Sequence, residues 1–211
     1  MSNCAECSAY VCRVGVRDKG PADCPMTTTD LTNQLPVYSD PEIKEFARIA
    51  SLVEGTGYGR WSRLEEIIEL CKMNGFKRLG VAFCAGFRNE AKVLHHILEA
   101  NGFQVASAMC KTGAIPKEEL GIRDEEKVRP GGKEMMCNPI AQAALLNDAE
   151  TQFNIVLGLC VGHDSLFIKF SKAWVTPLAV KDRVLGHNPI AALYMSEGYY
   201  KKRLYEDHKD R

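Results

Sequence analysis

The 211-residue chain has no excess of charge of either sign, because 27 Lys and Arg balance 27 Asp and Glu. That balance argues against generic binding to nucleic acid or to an anionic membrane, both of which call for a basic surplus. Long hydrophobic runs are also missing, and none approaches the roughly 18 residues needed to span a bilayer. The first thirty residues contain no apolar stretch of the signal-peptide kind, so no secretory signal is expected and a cytoplasmic setting is. Phosphate-cradling glycine loops are missing too. "FCAGFRNE" (83–90) places Gly86 in a strand–turn–helix but lacks the spaced glycines of a dinucleotide fingerprint, and there is no P-loop.

What is present is a core-forming composition, 45% apolar and 26% charged, together with nine cysteines. An odd count without an export signal fits a disulfide framework poorly, and in a reducing compartment such thiols bind metal or do thiol chemistry. Residues 1–38 read as a small irregular module. Within it Cys4-x-x-Cys7 has a metal-knuckle spacing, and Cys12 and Cys24-Pro25 complete a set of four. Four thiolates on a segment with little periodicity suit a tetrahedral zinc site or an iron–sulfur cluster, and Cys-x-x-Cys alone also fits a redox pair.

Residues 39–211 read as an α/β domain. Short apolar runs at 78–83, 103–109, 153–159 and 175–181 alternate with amphipathic helical stretches. This predicts a Rossmann-like parallel sheet of about four strands flanked by helices. A closing helix is expected from "NPIAALY" onward, and 111–133 reads as a long loop. Cys84, Cys110 and Cys160 each directly follow a predicted strand, and Cys137 precedes a predicted helix. In a parallel sheet all four positions fall at the carboxyl edge, where such folds bind ligands. Cys71 lies on the apolar face of its helix and reads as a core thiol, and His95 and His96 as helix-surface residues.

Two stretches repeat Asn-Pro-Ile-Ala, one after Cys137 and one after His187. Asn is a natural N-cap and Pro a natural first helical residue. The preceding side chain then sits near free N–H groups, which stabilise a thiolate and suit a neutral imidazole ligand. Cys160-x-x-His163 is a further metal-type spacing, with Asp164 as helix cap or imidazole partner. Lys181 and Arg183 are expected at the same edge, where they would neutralise an anionic cluster or bind an anionic ligand.

"CAECSAYVC…DCP", "GVAFCAGFRNEA" and "GLCVGHDSLFIKFSKAWVTPLAVKDRVLGHNPIAALY" resemble a family of small cysteine-rich proteins of unknown function from anaerobic bacteria and archaea, credited with metal binding. The resemblance implies a metal-binding protein in an anaerobe's cytoplasm and supplies no reaction. Three functions follow as expectations. The first is a two-site metal protein serving redox or electron transfer. Its N-terminal module would carry zinc or a cluster, and its second site would be a metal or [4Fe–4S] centre on Cys84, Cys110, Cys137 and Cys160, with His163 or His187 as alternates and a redox protein as partner. The second is a thiol enzyme using a Cys–His pair on a small substrate. The third is a metal-sensing or metal-handling module.

Overall fold

A computed structural model describes residues 3–205. The chain forms two compact units, 1–58 and 59–211. The separation falls twenty residues beyond the boundary expected from composition, because the helix after the cysteine-rich stretch goes with the first unit.

The first unit is built from short pieces. Single 3-10 turns and the one-turn helices α1 (Val11–Val14) and α2 (Pro25–Thr28) precede a longer 3-10 segment at Leu31–Ser39. Helix α3 (Pro41–Gly57) follows. Its start matches the sequence logic. The Asp40 carboxylate accepts from the N–H groups of Glu42 (2.9 Å) and Ile43 (3.1 Å), and Pro41 needs no donor there.

The second unit opens with α4 (Arg63–Met73), which begins in a capping box between Ser62 and Glu65. Strands β1 (Arg78–Phe83), β2 (Gln104–Met109), β3 (Phe153–Leu159) and β4 (Trp174–Val180) then form one parallel sheet in the order β2-β1-β3-β4. The connecting helices are α5 (Arg88–Ala100), α6 (Pro139–Asp148) and α7 (His163–Phe170). Both α5 and α6 pack on β1 and β2, and α6 packs against α7; the right-handed rule for such crossovers sets α5 on the face opposite α6 and α7. All seven residues of β3 are buried, as expected of an inner strand covered on both faces. At the strands' starting ends, buried Asn154 is fully engaged. It accepts from the Thr151 hydroxyl (2.8 Å) and donates to Ser171 Oγ (2.9 Å).

The expected closing helix is interrupted. It forms α8 (Ile190–Tyr194) and α9 (Lys201–Tyr205), with Ser196 and Gly198, both weak helix formers, between them. Among the described residues, no helix is long and apolar enough to cross a membrane.

Candidate functional site: thiols at the carboxyl edge of the sheet

The strand order makes the site. The chain steps from β1 outward to β2, then returns to place β3 on the other side of β1. The crevice between β1 and β3 is therefore the switch point where open α/β sheets take their ligands. Cys84 leaves β1 and Cys160 leaves β3 at this crevice, and Cys110 leaves β2 beside them. Cys84 and Cys110 still belong to the ladder. The Cys84 N–H donates to Leu157 O (3.1 Å) and the Cys110 N–H to Phe83 O (2.9 Å). Cys137 arrives from the other direction. Asn138 caps α6 by accepting from the Ala141 N–H (3.0 Å), and its own N–H donates to Cys110 O (2.8 Å).

Cys110 lies close enough to Cys84 and Cys137 for the protonation of each to depend on the others. It has one S–H to share between two sulfur acceptors. Cys84 is held near 5, first by the bond from Cys110, then by the Gly86 N–H and the Lys181 ammonium. Cys137 is also held near 5, first by Cys110, then by Lys111 and His163. Cys110 is driven far upward by those two sulfur neighbours and by burial, although the Ala85 N–H donates to its sulfur (3.3 Å). These opposite shifts favour the proton on Cys110 and thiolates on Cys84 and Cys137.

Each outer thiolate has its own cation. Lys111 Nζ donates to Cys137 Sγ (3.4 Å), and Lys181 contacts Cys84. Arg183 Nη2 donates to Cys160 Sγ (3.3 Å). The Arg183 guanidinium is raised chiefly by Cys160, with smaller contributions from Cys84 and Cys137, so three of the four sulfurs lie within its electrostatic reach.

Phe87 and Gly158 hold this lattice in place. Lys181 Nζ lies 4.2 Å from the Phe87 ring centre, a cation–π contact. The Phe87 ring occupies the space where any side chain at position 158 would begin, and Gly158 has φ +66. Glycine is required there on both counts. Buried Gln142 on α6 donates to Phe83 O (3.2 Å) and Ala108 O (2.7 Å), tying the two strand ends together.

His163 stands at the start of α7, three residues beyond Cys160, and its Nδ1 is buried without a hydrogen-bond partner. His187 is placed differently from Cys137. The second Asn-Pro does not repeat the first, since Asn188 makes no side-chain cap. His187 takes φ +67, its Nδ1 accepts from the Asp182 N–H (3.1 Å), and its ring lies 4.5 Å from Phe87. Its role here is to close the 182–187 turn. Asp164 accepts from the neighbouring Ser165 N–H rather than orienting the imidazole. Cys71 is fully buried and its thiol is pushed up to about 12 by that burial, as befits a core thiol.

Sequence reasoning passed over Lys111, Phe87, Gly158 and Gln142. Only Lys111 carried a signal, since it directly follows a cysteine that ends a strand. In the first unit Cys4, Cys7, Cys12 and Cys24 line a common cavity. All nine cysteines are free. Among the described residues, no group of three or more His, Cys, Asp or Glu side chains is placed to hold a metal ion as the side chains stand.

Residues 24–178 match the family described as "Protein of unknown function (DUF1847)". The chain belongs to that family. It is 43% identical over 204 residues to the uncharacterized protein MJ0455 of Methanocaldococcus jannaschii, an alignment covering 96% of this chain and 98% of the archaeal one. No solved structure matches it significantly. The family match takes in Cys24 and all four edge cysteines.

Proposed function

We propose that the carboxyl edge of the sheet is a reactive-thiol site that carries out thiol–disulfide chemistry on a small disulfide. The observation that carries this reading is the placing of buried Cys110, 2% exposed, beside more accessible Cys137: the Asn138 N–H donates to Cys110 O (2.8 Å), and Lys111 Nζ donates to Cys137 Sγ (3.4 Å), whose thiol is held near 5. The Cys137 thiolate attacks one sulfur of the substrate disulfide. That S–S bond breaks, one half leaves as a thiolate, and a mixed disulfide forms on Cys137. Cys110 then passes its proton to the neighbouring Cys84 thiolate and attacks Cys137 Sγ. The Cys110–Cys137 bond forms and the second half of the substrate departs. The substrate is reduced and the protein dithiol is oxidised, to be restored by an external thiol reductant. Lys111, Lys181 and Arg183 would favour a substrate that carries carboxylates.

The test mixes reduced protein with one equivalent of an aromatic disulfide. The wild type should release both halves as thiols and yield a Cys110–Cys137 bond by peptide mass spectrometry. Cys110→Ser should release one half and keep the other on Cys137. A wild type that retains an unresolved adduct, or labels Cys84, Cys137 and Cys160 alike, overturns the reading.

A second reading is a soft-metal centre on the same thiols. It draws on the unpartnered buried Nδ1 of His163 beside Cys137 and on the three cations that would offset an anionic metal–thiolate centre. Metal that co-purifies anaerobically in proportion to chain, and is lost in Cys84→Ser/Cys137→Ser, would favour it.

A further inference from the structure

We infer that the first unit holds a [4Fe–4S] cluster on Cys4, Cys7, Cys12 and Cys24. The inference is independent of the edge reading and uses none of its residues.

Three observations converge. The four thiols line a single cavity of about 250 Å³, whose remaining wall includes Val11 and Met26. That space is far more than one ion needs. A tetrahedral zinc draws four sulfurs onto one point and leaves no void. Here no three of the thiols stand where they could hold a single ion. A cubane behaves differently, because each cysteine binds a different iron and the ligands are spread by the width of the cluster. A mostly apolar hollow lined by four thiols has room for a cluster, and a single ion would not fill it.

The third observation is energetic. From residue 3 to residue 40, no residue whose side chain is described is buried. A segment of that size without a core needs a disulfide, a metal or a partner to be stable on its own. Its cysteines are all free. The cavity is nonetheless held by local detail. A methyl at Gly20 would come within 3.1 Å of Cys24 Sγ, and the hydroxyls of Thr27 (2.9 Å) and Thr28 (3.0 Å) donate to Cys24 O. On binding, each thiol gives its proton to solvent as its sulfur bonds one iron of a cluster assembled from ferrous iron and sulfide.

The experiment reconstitutes the full-length protein anaerobically with ferrous iron and sulfide, with zinc offered in parallel. About four iron and four sulfide per chain are expected, with broad visible charge-transfer absorption. The iron should be lost in Cys4→Ser/Cys7→Ser and retained in Cys84→Ser/Cys137→Ser. Alkylation of the loaded wild type, mapped by peptide mass spectrometry, should find Cys4, Cys7, Cys12 and Cys24 protected, and it does not depend on any variant folding. Colourless protein with one tightly held zinc overturns the inference. So does iron that survives loss of Cys4 and Cys7, protection confined to the edge cysteines, or no metal uptake.

Discussion

Both regions of this protein collect four cysteines, and they do so by opposite means. At the sheet edge three thiols follow strands and the fourth precedes a helix, and Cys84, Cys137 and Cys160 each meet a cation. In the first unit they sit on single turns with no buried residue around them and face a cavity. A rigid scaffold can press sulfurs together and tune their protonation, because the cost of crowding is met by the core beneath. A segment without a core cannot, and its thiols share only the wall of a hollow.

The sharpest way to break this contrast is chemical. Cys137→Ser should slow release of the first thiol from an aromatic disulfide by more than about 100-fold, while Cys4→Ser leaves it within about twofold. In the wild type, alkylation of Cys137 by a neutral reagent should be nearly flat from pH 6 to 8, because a thiolate held near 5 is already formed. An ordinary thiol would gain about tenfold per unit over that range. The same shift links to stability. With its pKa lowered on folding, Cys137 favours the native state above its ordinary value of 9.0, and that contribution is lost as the pH falls through about 5. A steep alkylation profile would place both regions in one chemical class.

Next in size is the support of the edge. Gly158→Ala meets the Phe87 ring and a φ of +66, and should cost about 2–4 kcal/mol in denaturant unfolding. It should also loosen Lys181 and so slow alkylation of Cys84 near pH 6. Gln142→Leu removes the side-chain donor from the Ala108 carbonyl and the second donor from Phe83 O, which keeps the Cys110 N–H, and should cost about 1–3 kcal/mol. The smallest effect is expected in the first unit, where Asp40→Ala removes the α3 cap for about 1 kcal/mol. Iron uptake should be unchanged in all three variants, as read by iron analysis.

Much of the fold was legible along the chain. Each apolar run at 78–83, 103–109, 153–159 and 175–181 became a strand within a residue, because a continuous short apolar run has few other ways to be buried. Asn138 was readable as a cap because capping is local. The second Asn-Pro misled for the converse reason. Gly186 and His187 both take positive φ, and the turn they form supplies the geometry that a cap would have supplied. Lys111, Phe87 and Gly158 act through neighbours distant in the chain, so their roles were invisible to periodicity. The cavity of the first unit was legible only as four cysteines, without any indication of their separation.

By itself, the order of residues determined that cysteines would stand at strand ends and at one helix start, since those positions follow from apolar periodicity and local capping. Tertiary structure alone decided that β3 returns to lie beside β1, that Cys110 falls between Cys84 and Cys137, and that a separate cation meets each outer sulfur. Those relations depend on distances across the sheet, and a linear pattern carries no information about distance between segments that meet only when the core closes.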